Sequence, residues 1–154
     1  MQRAHRLLLI ILGFAALGLL MSGYLSYRFY FTSGCSEGPL SWMVTCGGPK
    51  AVLLLGQPTC VYGLTMFAAV FVTAFVGLQR TVGKKLMVAL TILGIAGTAF
   101  SGFLSVYEIF VLDIELTALP ACVYGLVFYV GILVTSIIGL RTANTSAPVI
   151  PQSV

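Results

Sequence analysis

Charge is what this sequence has least of. Charged residues fill only 8% of its 154 positions, and acids number four. A soluble domain this small must present a polar surface to water, and a chain that is 59% hydrophobic with a mean hydropathy of +1.07 has no such surface to offer. Lipid is therefore its solvent. Eight scattered lysines and arginines are too few for a nucleic-acid footprint, so no DNA or RNA role is indicated, and the net charge of +4 describes topology and contact with anionic lipid. With one histidine, His5, and no tight cysteine pairs, no metal site is expected. Haem ligands, flavin motifs and nucleotide loops are missing. The apolar runs carry no charge in their cores, which argues against a transporter or channel subunit.

What is abundant is long apolar sequence. A bilayer core takes about 20 consecutive apolar residues per helical crossing, and residues 7–27, 60–78, 86–107 and 119–140 each qualify. The first run follows Arg3 and Arg6 as a secretory signal would. It continues without a small-residue cleavage site and ends in Tyr24, Tyr27 and Tyr30, so it reads as a retained first helix with an aromatic belt. In a four-span arrangement Arg3, Arg6, Arg80, Lys84, Lys85 and Arg141 share one side against Arg28 and Lys50 on the other. That basic side is expected to be cytoplasmic, giving a multi-pass cell-membrane protein with both termini inside. The expected fold is all-α, a four-transmembrane-helix up-down bundle with an external loop between helices one and two.

That loop, residues 28–59, is rich in turn formers, including Gly34, Gly38, Pro39, Gly47, Gly48, Pro49 and Pro58. Its apolar segment 51–55 is too short to cross a membrane and suits a lid over the bundle's mouth. Trp42 reads as an interfacial or lid anchor. Residues 1–142 form the membrane domain, and the polar, proline-containing residues 143–154 read as a disordered cytoplasmic tail.

All four cysteines fall on the external side. An even number facing an oxidising compartment points first to disulfide chemistry. Two of them lie in an internal echo, Pro58-Thr59-Cys60-Val61-Tyr62-Gly63-Leu64 against Pro120-Ala121-Cys122-Val123-Tyr124-Gly125-Leu126. Proline is favoured at the first helical position, which places Cys60 and Cys122 in the first turns of helices two and four, at one membrane depth. Orphan amides and the helix dipole's positive end favour the attacking thiolate there, while burial in lipid opposes it. If Gly63 and Gly125 let helices two and four pack closely, the sulfurs reach bonding distance. The pair is then a redox couple, a static staple or two free thiols. Cys35 and Cys46, eleven residues apart, form either a second staple or an electron shuttle.

A redox disulfide at the membrane surface needs an acceptor for two electrons, and a lipid-soluble quinone is the economical one. Its head group would sit by Cys60 and Cys122, with Thr59, Tyr62 or Tyr124 as hydrogen-bond donors. Glu108, at the external end of helix three, reads as a carboxylate snorkelling to water in preference to a proton relay.

Taken together, these residues resemble the vitamin K epoxide reductase family, four-helix enzymes that couple disulfide formation to quinone reduction. The resemblance rests on Ser22-Gly23-Tyr24-Leu25, Cys35-Ser36 followed by Cys46-Gly47, Gly56-x-Pro58 with Val61-Tyr62-Gly63-Leu64, Tyr107-Glu108 and Pro120-x-Cys122, and it runs over residues 13–140. It implies that Cys122 is the quinone-facing cysteine. It also implies that Cys35 and Cys46 relay electrons from a thioredoxin-like periplasmic or extracellular partner, and that the quinone is of ubiquinone, menaquinone or vitamin K type.

Three departures from the family pattern stand out. Leu119 replaces the first cysteine of the helix-four C-x-x-C, the loop serine falls near Val52, and the quinone-binding asparagine falls at Thr59. Cys60 occupies a position where the family has a small residue, and it is expected to replace the missing sulfur. The sequence thus describes a membrane thiol-disulfide oxidoreductase that uses Cys122, Cys60, Cys35 and Cys46. The alternative is a non-catalytic four-helix scaffold with structural disulfides.

Overall fold

A computed structural model describes residues 2–31, 44–45, 53–54, 57–79, 84–110 and 119–145. Four long helices dominate: α1 (Gln2–Phe31), α2 (Thr59–Gln79), α3 (Lys84–Phe110) and α4 (Ala121–Thr145). All four are long and apolar enough to cross a membrane. Short strands flank them: β1 (Val44–Thr45), β2 (Leu53–Leu54), β3 (Gln57–Pro58) and β4 (Leu119–Pro120). β2 pairs antiparallel with β3 just before α2, and β1 pairs parallel with β4 just before α4, with Thr45 opposite Pro120. The expected loop thus carries local pairing at both helix entrances, and α4 runs to Thr145, past the expected domain end at 142. Of the expected lid only Leu53 and Leu54 are described; Trp42, Cys35 and Cys46 lie outside the described residues.

The helices are built inside out relative to a soluble bundle. Large side chains such as Leu20, Val72, Phe103 and Val127 are exposed, whereas Ser22, Ser26, Ser101, Ser105 and Ser136 are buried. Hydrocarbon gives no added reward for burying leucine, so small residues that permit close approach share the inward faces with larger apolar side chains. Helix hydroxyls must find partners without water, and Thr91, Thr98, Ser105 and Thr135 donate to carbonyls four residues back. Thr91 Oγ1 also lies 3.2 Å from Ser136 Oγ, linking α3 to α4.

Two helical hairpins repeat the same packing. On α1 the buried positions include Leu8, Ile11, Ala15, Gly18, Ser22, Leu25 and Ser26. On α3 the same stripe recurs 79 residues later as Met87, Leu90, Gly94, Gly97, Ser101, Leu104 and Ser105. Likewise Phe67, Val70, Ala74 and Gly77 on α2 correspond to Tyr129, Ile132, Ser136 and Gly139 on α4, 62 residues on. The contacts repeat with the positions. A Cβ on Gly18 would strike the Phe67 ring, and one on Gly97 would strike the Tyr129 ring. The bundle is therefore an approximate two-fold repeat of one hairpin. Its trace in the sequence is Gly-x-x-x-Ser-Gly-x-Leu-Ser at both 18–26 and 97–105, in addition to the Pro-x-Cys echo.

This arrangement corrects one expectation. Each hairpin packs α1 on α2 and α3 on α4, with further contacts of α1 to α4 and α2 to α3, so α2 and α4 sit diagonally across the bundle. Gly63 faces Ser22 on α1 and Gly125 faces Ser101 on α3, so these glycines do not draw α2 and α4 together. The diagonal helices meet instead through side chains. Phe67 stacks on Tyr129 with ring centroids 4.3 Å apart, and Phe128 adds an edge contact at 6.3 Å. At the far end Arg6, Lys84, Lys85 and Arg141 are outside the core, opposite the end where α2 and α4 begin.

Because Tyr129 is fully buried and held by Phe67, its ring cannot retreat from a new methyl group. Gly97→Ala is expected to destabilise the bundle by about 1–3 kcal/mol despite alanine's higher helix propensity. Gly13→Ala, where a Cβ meets nothing within 4 Å, should be neutral or slightly stabilising. Thermal unfolding of both variants in the same detergent makes the comparison.

Candidate active site

Each of α2 and α4 begins immediately after a proline, and Cys60 and Cys122 are the second residues of their helices. The prolines sit one position earlier than expected, at the ends of β3 and β4, within the usual uncertainty of helix boundaries. Both cysteines nevertheless occupy the first turn. Unpaired amides and the positive ends of two helices therefore converge on one region.

That region is a cavity bounded by all four helices and open at its mouth. Its wall is mostly carbon, from Met21, Leu25, Phe100 and Leu104, and its floor is the aromatic layer of Phe67 and Phe128. Into it come Cys60, Cys122 and the hydroxyl-bearing Ser22, Thr59 and Ser101. Both cysteines are free thiols. Ser22 donates its hydrogen to the Gly18 carbonyl, and the Thr59 hydroxyl is within hydrogen-bonding reach of the Cys122 sulfur. Thr59, Cys60 and Cys122, singled out from the sequence, are thus brought together. Tyr62 and Tyr124 are half-buried and do not line the cavity, and the Tyr62 ring lies 6.3 Å from that of Phe100.

Glu108 departs from its expected role. It does not reach out to water: it is only 7% exposed, and its Oε1 accepts a hydrogen bond from the Cys122 thiol at 3.5 Å. The reason is helical register. Glu108 continues the inward stripe of Gly97, Ser101 and Leu104 at spacings of three and four, so its side chain points between the helices. The same periodicity was present in the sequence, as were Ser22 and Ser101 at matching places in the repeated motif. Among the described residues no cluster of three or more metal-ligating side chains occurs.

The family model for the vitamin K epoxide reductase family matches residues 9–114. The chain belongs to the vitamin K epoxide reductase family. The match takes in α1 from residue 9 onward, the connecting segment with Cys35 and Cys46, and all of α2, with Cys60, and of α3; Cys122 lies beyond it. No curated protein sequence matches the chain. Family membership implies a membrane oxidoreductase.

Filling the cavity should separate access from folding. Gly63 lines it, and a Cβ there meets only Ser22 Oγ, at 3.9 Å. Gly63→Leu is expected to slow labelling of Cys60 and Cys122 by an apolar maleimide severalfold. Gly13→Leu, on the open face of α1, should leave labelling unchanged. Site-resolved mass spectrometry provides the rates.

Proposed function

We propose that this protein couples disulfide-bond formation in exported proteins, through a thioredoxin-like partner, to reduction of a membrane quinone. The observation that carries this reading is the meeting of Cys60 and Cys122, from the diagonal helices α2 and α4, in one apolar cavity of a vitamin K epoxide reductase family bundle. Leu119 stands where the family pattern has its first helix-four cysteine, and Cys60 supplies a second sulfur from the equivalent place in the other hairpin.

Electrons would enter at Cys35 and Cys46 by thiol-disulfide exchange with the reduced partner and pass to the Cys60–Cys122 bridge by a second exchange. Support for this route comes from the β1–β4 pairing, which sets Thr45, the residue before Cys46, opposite Pro120, two residues before Cys122. A quinone in the cavity supplies an acceptor for two electrons and two protons. The carbon-lined wall suits a flat apolar ring, and the Thr59 hydroxyl, within hydrogen-bonding reach of the Cys122 sulfur, is a donor at hand. The aromatic floor closes the cavity toward the bundle's middle, keeping the ring beside the cysteines. In this reading the cysteine end faces the periplasm or cell exterior, and both termini are cytoplasmic.

Peptide mapping under non-reducing conditions tests the proposal. A Cys60–Cys122 bridge is expected that opens with a dithiol and re-forms with a soluble quinone analogue. Replacing either cysteine with alanine should abolish quinone reduction. Unchanged turnover in both variants, or a pair that never bridges, would overturn the redox reading in favour of a static scaffold.

A further inference from the structure

The approximate two-fold repeat makes its own exceptions visible. At the position on α1 equivalent to Glu108, 79 residues earlier, stands Phe29. The hairpin therefore packs with an apolar residue at this place in one half, and the fold does not demand a carboxyl in the other. Glu108 is nonetheless buried, and while Oε1 accepts from Cys122, Oε2 has no hydrogen-bond partner among the described residues. An acid included for stability would have both oxygens satisfied, since a buried, unpaired carboxyl oxygen is costly. Its field reaches both sulfurs, Cys60 on α2 and Cys122 on α4. It also lies in the last turn of α3.

We infer that Glu108 is the proton-transfer residue of the Cys60–Cys122 couple, taking the proton from the Cys122 thiol and returning it when the bridge is reduced. The inference rests on the redox reading above. In the forward step the S–H bond of Cys122 breaks and an O–H bond forms on Glu108, leaving a thiolate; no electron leaves the chain. In the reverse step an incoming thiolate attacks the Cys60 sulfur and supplies the electron pair, the S–S bond breaks, and Cys122 departs with its bonding pair and takes the proton from Glu108. When the bridge is reduced the carboxyl thereby protonates the departing Cys122 sulfur, so no thiolate is left standing in the apolar cavity after that step.

Alkylation of Cys122 in the reduced full-length protein, followed by peptide mass spectrometry in nanodiscs, tests this without any quinone. Glu108→Gln preserves shape and the accepting oxygen but cannot take a proton, and it should slow alkylation on the order of 10²-fold, the scale of general-base assistance. Glu108→Asp, which retains a carboxyl, should recover part of that loss. A carboxylate that was merely a neighbour would repel the charge forming on sulfur, so Glu108→Gln would then alkylate at the same rate or faster, and either result overturns the inference. If Glu108→Gln does not fold, the solvent isotope effect on the unaltered protein decides: slower alkylation in D₂O is expected, and an equal or faster rate overturns it. Bridge formation with quinone is read separately by peptide mapping, so failure here leaves the redox reading intact.

Discussion

The stack of Phe67 on Tyr129 is the contact around which the rest of the molecule is arranged. It joins diagonal helices that meet only through side chains, with nearly parallel ring centroids 4.3 Å apart. Each ring is seated against a glycine of its own hairpin, Gly18 for Phe67 and Gly97 for Tyr129, so neither can move without displacing a helix. Cys60 and Cys122 are each seven residues before their ring, two helical turns or about 10 Å along the axis. Phe67, with Phe128 at its edge, therefore forms the cavity's floor, and the Tyr129 ring stacked on Phe67 holds that floor in place.

Lipid explains why such a space can exist. In water, an apolar cavity between four helices would tend to collapse as the hydrophobic effect drew the helices inward. In a bilayer the large aliphatic side chains gain little by turning inward, and the inner faces mix leucine, isoleucine and methionine with glycine, serine and a few aromatics. Small residues at Ser22, Gly63 and Ser101 leave room between the bulkier wall of Met21, Leu25, Phe100 and Leu104. The same small set recurs in both hairpins, so the cavity is near the approximate two-fold axis and receives one cysteine from each half. The repeat is broken at two places beside the thiols: Thr59 stands against Ala121, and Glu108 against Phe29.

Much of this was legible beforehand because membrane solvation imposes simple rules. Four uncharged apolar runs became four helices, and the proline preceding each cysteine marked a helix start closely enough to put both sulfurs in a first turn. Glu108 was misread because proximity to a helix end was given more weight than its place on an inward stripe. The expected close packing of α2 and α4 failed for a related reason: a glycine announces that something approaches, but not which helix does. Gly63 and Gly125 each face the other member of their own hairpin.

Composition and order by themselves determined the solvent, the number of crossings, the antiparallel succession of helices and the depth of the repeated cysteine motif, since each follows from local hydrophobicity and backbone chemistry. Only the tertiary structure decided that the cysteine helices are diagonal, that an aromatic floor holds a cavity open beneath their sulfurs, and that a buried carboxyl touches Cys122. Those facts depend on which faces meet across the bundle, and rotation of one helix against another is settled by the fit of glycines to rings far apart in the chain.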